Sequence, residues 1–262
     1  MKLKKKAILV VSVGATSVED NGIKIIDSIE EDIQVAYSDY IIYRAFTSKF
    51  IIDRLKKNYN YIVDTIDEAM NRIIRDKVVD LIIQPTHIIN GVENDIMINT
   101  VNKYKDYFKS LYIGKPLLDS HEDYNVFIDN IIKELPDTSD GEAIFLIAHG
   151  TDHVADSCYL DINNIIYKRG YNIHIGTIKG NLSINNSLEL IRECNYKKIY
   201  LTPLMIVSGR HAYNDIFKHN NHSWRAVLEE NGYAVENIDI GLGSYSFVRR
   251  MFVEHIDTVI SR

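Results

Sequence analysis

The sequence predicts an α/β protein of two similar half-domains, each a parallel sheet with helices on both faces. Three observations predict it. Short apolar, β-branched runs alternate with longer amphipathic segments, as parallel strands and their connecting helices do. The runs are nearly continuous in apolar residues, which strands covered on both faces require. Two stretches, Leu81–Glu93 and Ile199–His211, repeat one local pattern at a fixed offset. It pairs Pro85 with Pro203, Gly91 with Gly209 and Glu93 with His211. Such a repeat implies a duplicated supersecondary unit.

The first predicted strand, Ala7–Val13, runs into a turn at Gly14. The lysines before it imitate a signal peptide, but the apolar run is short and β-branched, and Glu19 and Asp20 follow soon after. It reads as a buried strand. Helical patterns follow at about Val18–Ile29, Ser48–Lys57 and Ile66–Asp76, then a strand at Val79–Ile83. A helix over Glu93–Phe108 leads to a strand at Ser110–Ile113, and a helix over Glu122–Glu134 completes the half. The polar segment 136–141, with Pro136 and Gly141, reads as a linker between half-domains at 1–135 and 142–262. The second half opens on a strand, Ala143–Ala148, that ends at His149-Gly150. Strands at Asn172–Ile175, Lys198–Leu201 and Asn237–Ile240 alternate with helices at Ile184–Glu193, Trp224–Asn231 and Ser246–Ile260.

Composition narrows the function. The net charge of -6 leaves no excess of Lys and Arg to neutralise phosphates, so a nucleic-acid partner is not expected. Cys158 and Cys194 lack CxxC spacing and make no disulfide framework, which fits a reducing, cytoplasmic setting. No stretch approaches the roughly 20 apolar residues of a membrane span. Patterns for dinucleotide binding, the P-loop, the nucleophile elbow and HExxH are all missing, so no organic cofactor is expected.

Open parallel sheets bind ligands beyond the carboxyl ends of their strands. His149 immediately follows such a strand, where the first half has apolar Val13. The duplication has diverged there to an imidazole, which binds metals or accepts protons. Glu93 and His211 lie several residues past their strands, on the same rim, and both are proton acceptors and metal ligands. His87, set in an apolar turn, reads as a buried supporting histidine.

Several segments together resemble the anaerobic sirohydrochlorin cobalt chelatases, class II tetrapyrrole chelatases related to protoporphyrin ferrochelatase. They are Ala148-His149-Gly150, Arg44-Ala45-Phe46-Thr47-Ser48, His87-Ile88-Ile89-Asn90-Gly91, Pro116-Leu117-Leu118, and the run from Gly209 through Arg210, His211, Ala212, Tyr213 and Asn214 to Asp215. The resemblance extends from Val10 to about His255. It implies two Rossmann-like half-domains around a cleft that holds a planar macrocycle. It also implies insertion of Co(II), as substrate metal, into a precorrin-2-derived ring on the oxygen-independent route to cobalamin.

In that family two histidines lie at the metal, and the matching positions here are His149 and His211; Glu93 matches an active-site carboxylate. Some relatives supply a further glutamate where this chain has Lys179, whose ammonium has no lone pair for a metal. The expected metal set is then His149, His211 and Glu93 or water, with His149 and Glu93 as proton acceptors. Lys179 is instead a candidate for contact with a carboxylate of the substrate. Arg44 and Arg210 are further candidates for substrate carboxylates, and Val13, Phe46, Leu204 and Met205 for the ring faces. Rival expectations are iron or nickel insertion on the same fold, a carrier of metal or tetrapyrrole, and a periplasmic-type small-molecule binder.

Overall fold

The computed structural model describes residues 5–18, 21–209, 213–220 and 222–260. The chain divides into two compact units, Met1–Asp119 with Gly243–Arg262, and Ser120–Leu242.

Unit 1 is built on β1 (Lys5–Ser12), β2 (Ile41–Phe46), β3 (Val78–Pro85) and β4 (Ser110–Ile113), in the order β2-β1-β3-β4. All neighbours are parallel, with Val10 opposite Arg44 and Gln84. Central β1 is apolar on both faces, and Ala7 through Val11 are fully buried. The connecting helices are α1 (Gly22–Ala36), α2 (Lys49–Tyr59), α3 (Ile66–Arg75) and α4 (Val92–Asn102). Ile26, Ile29 and Ile33 form the buried stripe of α1, and Ile66, Ala69, Met70 and Ile73 that of α3, at helical spacing. A capping box between Thr65 and Glu68 fixes the start of α3.

Unit 2 repeats the plan. Its strands β5 (Glu142–Ala148), β6 (Ile173–Thr177), β7 (Lys198–Pro203) and β8 (Ala234–Asn237) stand in the order β6-β5-β7-β8, again parallel. The helices are α5 (His121–Glu134), α6 (Ser157–Lys168), α7 (Ile184–Ile191) and α8 (Trp224–Glu230), and a short π-helix spans Tyr213–Phe217. Phe145, Ile147, Ile199 and Leu201 pack against Ile216, Phe217, Trp224 and Leu228.

The units divide at different places from the linker expected at 136–141, which falls inside unit 2. The reason lies in two helices. Arg169 at the end of α6 reaches α5, with Nη1 2.5 Å from Asp129 and Nη2 bonded to Asn125. The last helix, α9 (Ser246–Ile260), packs on α1, β3 and β4. Tyr37 donates to Asp257 at 2.5 Å, and Arg249 pairs with Asp32 at 2.6 Å. Two elements absent from the sequence expectation, β2 and α6, complete each half. The strand expected at Asn237–Ile240 forms earlier, as β8.

His174 on β6 stacks on Phe145 with ring centroids 5.0 Å apart, and its Nε2 lies 3.2 Å from the Tyr196 hydroxyl. Burial pushes its pKa down from 6.5 to about 4. The neutral ring therefore contributes stability that is present above pH 6.5 and is lost as pH falls toward 4. At about 1.36 kcal/mol per pH unit, the full contribution is about 3 kcal/mol. Urea unfolding at pH 7.5 and pH 4.5 should show a smaller acid loss for His174→Phe than for wild type. Equal losses would remove His174 from the acid response.

Candidate active site

In both sheets the strand order reverses beside the first strand, between β1 and β3 and between β5 and β7. Side chains just past those strands stand at the crevice where such sheets bind ligands.

In unit 2, His149 is the first residue past β5, and it is exposed. Its Nδ1 lies 3.1 Å from the Gly150 carbonyl. A carbonyl only accepts, so this contact puts the proton on Nδ1 and leaves the lone pair of the neutral ring on Nε2. The backbone beyond β6 continues the ladder, with Ile178 donating to Ala148 at 3.0 Å and Lys179 to His149 at 2.9 Å. Lys179 is therefore bonded through its main chain to the histidine, and its side chain is exposed. Gly150 has a φ of +70°, and a Cβ there would overlap the Lys179 carbonyl. Only glycine lets the two turns approach this closely.

Past β7, Leu204 is buried and Met205 is half-buried against the core of unit 2. Met205 also accepts a backbone bond from Leu242 at 2.7 Å. Of the expected ring-face residues in this unit, Leu204 is thus a core residue and Met205 only partly available. Arg210 and His211 lie outside the described residues. The backbone on either side of them is held by a bond from Tyr213 N to Gly209 O at 3.0 Å.

In unit 1, Val13 follows β1 and is 40% exposed. Glu93 is exposed in the first turn of α4, where the helix dipole favours a carboxylate. His87 is buried past β3, and burial lowers its pKa while Asn94 and Glu93 pull it upward. Its Nδ1 lies 3.2 Å from the Asn94 side-chain oxygen. Asn94 in turn donates to Asn90, and Asn90 to Asp119 at 2.5 Å. The supporting position expected for His87 agrees with this network, which anchors the turn that leads to Glu93.

Two further expectations do not survive the geometry. Arg44 was expected to offer charge to a substrate, but its guanidinium is taken up by Glu30 at 2.6 Å, Asp27 at 2.5 Å and the Tyr61 hydroxyl at 2.5 Å. Burial raises the Glu30 pKa against the pull of Arg44, the mark of a carboxyl held out of water by its partner. Phe46 was expected on a ring face but is 1% exposed and belongs to the core. Sequence reasoning overlooked Phe50, 62% exposed in the first turn of α2. Its position is set by the preceding Ser48, whose N–H bonds to Val13 O at 3.3 Å. An apolar residue just inside a helix that starts at the rim was the available signal. Among the described residues, no three His, Cys, Asp or Glu side chains gather as a metal-holding group.

Comparison with known proteins gives a consistent result. The family described as Cobalt chelatase (CbiK) matches residues 6–261. A sirohydrochlorin cobaltochelatase of Salmonella typhimurium is 30% identical over 98% of this chain and 97% of its own length. Sirohydrochlorin cobaltochelatase CbiKC of Nitratidesulfovibrio vulgaris is 25% identical over 100% of this chain and 93% of its own. Among solved structures, SirB from Bacillus subtilis with Fe3+ aligns with a TM-score of 0.64 at 12% identity, over 97% of this chain and 94% of that one. CbiX, the terminal enzyme for biosynthesis of siroheme in denitrifying bacteria, aligns with a TM-score of 0.57 at 13% identity, over 96% and 98%. At those identities the two structures speak for the fold.

The Arg44 network yields a stability prediction. Removing the guanidinium by Arg44→Met leaves two carboxylates side by side, with the Glu30 side chain only 15% exposed. The variant should lose about 2 kcal/mol in urea unfolding, below the range for fully buried pairs because Asp27 is 44% exposed. Adding Glu30→Gln should restore part of that loss. A change within about 0.5 kcal/mol, typical of plain surface sites, would show the network to be idle.

Proposed function

This chain belongs to the cobalt chelatase (CbiK) family, and from that premise we infer that it is a metal chelatase that inserts Co(II) into sirohydrochlorin in cobalamin biosynthesis. The observation that carries the reading is a family match over nearly the whole chain, 6–261. The exposed His149 at a strand-order reversal supports it at the level of the site.

The reaction exchanges two protons for one metal ion. Two pyrrole N–H bonds break, their protons leave, and the four ring nitrogens bind Co(II) with no change in oxidation state. The protein must accept protons and hold a partly dehydrated ion loosely enough to release it. His149 suits both tasks, because the Nε2 lone pair of its neutral ring can take a proton or bind a first-row divalent ion. His211 serves as a second nitrogen ligand. Glu93, exposed at the start of α4, serves as a ligand or proton acceptor. Imidazole and carboxylate ligands leave coordination positions open, unlike a closed thiolate cage. None of these tasks calls for an organic cofactor.

Sirohydrochlorin carries many carboxylates, and the chain as a whole is acidic. Local positive charge must therefore be supplied at the rim. With Arg44 engaged elsewhere, Lys179 takes that role, joined by Arg210. Val13 and Phe50 offer exposed apolar surface to a ring face, with a smaller share from Met205.

Anaerobic absorbance of sirohydrochlorin with Co(II) tests this reading. Wild type should metallate the ring faster than the spontaneous background. His149→Ala should lower kcat by about a hundredfold or more, the usual weight of a positioned acid–base group. Lys179→Ala should raise the KM for sirohydrochlorin severalfold and leave kcat nearly unchanged, and Lys179→Glu should raise it further. A wild-type protein that binds the ring without accelerating insertion would be a carrier, not a chelatase. Full activity in His149→Ala would move the site elsewhere.

A further inference from the structure

The two rim turns of unit 2 are joined by a carboxylate that metal insertion leaves unused. Asp156 closes the short 3-10 turn Val154–Asp156 and is 3% exposed. Its Oδ1 accepts a bond from Thr151 N at 3.0 Å. Its Oδ2 accepts from Asn181 N at 3.0 Å and from Asn181 Nδ2 at 3.1 Å. Thr151 belongs to the turn that starts at His149, and Asn181 to the turn that carries Lys179. Glycine makes the approach possible: Gly180 has a φ of +95°, and a Cβ there would lie 2.5 Å from Asp156 Oδ2.

All three groups facing Asp156 are donors, and an ionised carboxylate is the side chain of this size that only accepts. An asparagine of the same shape would aim its NH2 at an N–H on one side and leave a buried donor unmatched. Asp156 also stands at the N-cap of α6, a common place for a capping carboxylate. Yet it makes no side-chain capping bond to α6, and its bonds go to the two rim turns.

We propose that Asp156 is the positioning residue of the site: it clamps the Thr151 and Asn181 turns together and so fixes the backbone that presents His149. The proposal rests on the reading of His149 as proton acceptor and ligand.

The test combines chelation kinetics with amide hydrogen exchange on the full chain. Asp156→Asn should lower kcat roughly ten- to hundredfold, the usual effect of residues that orient a metal ligand. The double variant Asp156→Asn/His149→Ala should be no slower than His149→Ala alone, because the effect passes through the histidine. Exchange at the amides of Thr151, Lys179 and Asn181 should accelerate, and that at Leu146 and Ile175 within the strands should not. Asn181→Ala, which removes only the Nδ2 donor, should show a smaller loss in the same pattern and serves if Asp156→Asn folds poorly. Unchanged kcat with a lowered melting temperature would overturn the proposal, since that is a purely structural role. So would a further loss in the double variant, or unchanged exchange at the three amides. Full activity in His149→Ala would sink the reading of His149 as the site and with it the positioning role of Asp156 in insertion, while the exchange rates judge the clamp independently.

Discussion

Burial of parallel strands on both faces is the constraint from which the rest follows. Ala7 through Val11 and Ala143 through Ala148 are almost wholly withdrawn from water, so no polar chemistry fits along those strands. Their backbone groups are satisfied by neighbouring strands, and their side chains by helices above and below. Chemistry is left to the rim, where the chain leaves the ladder. The strand order in each unit then selects a place on that rim, because the connections diverge to opposite faces where the order reverses. His149 and Val13 occupy equivalent places by this rule, one a candidate for chemistry and the other an exposed apolar surface.

Electrostatics adds a second constraint. A chain with a net charge of -6 must meet a substrate rich in carboxylates, and several of its arginines are already held in ion pairs. Arg44 is held by two carboxylates, Arg249 by Asp32, and Arg169 by Asp129. These pairs join helices to strands or to one another, which is structural work. Lys179 differs in its setting: its side chain is exposed and its backbone is bonded to that of His149. In the proposed role a cation at that spot would attract the substrate without drawing a metal into a tight site, since an ammonium group offers no lone pair.

The fold class and the duplication were legible because they rest on features of the chain that tertiary structure cannot override: apolar runs of strand length, glycine turns and the paired Pro and Gly positions. The strand β2 was not. Its residues Ile41-Ile42-Tyr43-Arg44-Ala45-Phe46 lie at a sheet edge, where partial exposure permits a charged residue in the run. Missing β2 also hid the relation between Arg44 and Phe46, which lie two apart and so share a face of the strand. That face is covered, which is why one is ion-paired and the other is core. Helix α6 was hidden for another reason. Asn163-Asn164 and the isoleucines around them are weak helix formers, although Cys158, Ile162 and Ile166 supply the buried stripe. The domain boundary illustrates a third limit: a Pro/Gly segment marks a break in secondary structure, whereas a unit is defined by what its helices pack against.

The candidate site was legible in its chemistry and not in its support. His149 stands out because an imidazole at a strand end has few structural reasons to be there, and Glu93 because the repeat pairs it with His211. Asp156 looks in sequence like any acidic residue before a helix, a common and favourable placement. Only the fold shows that its three hydrogen bonds run sideways, to the turn at Thr151 and to the turn at Asn181, 25 residues further along the chain than Asp156 itself. A reactive side chain needs few neighbours to be recognised, but the group that holds it still is recognised by its neighbours alone. The same distinction applies to His87. Its burial and its bond to Asn94 make it a part of the frame beneath Glu93, although it is the same residue type as His149 and also sits just past a strand. Residue type and rim position together do not assign a role. Exposure separates the histidine that can meet a substrate from the one that keeps the turn in place.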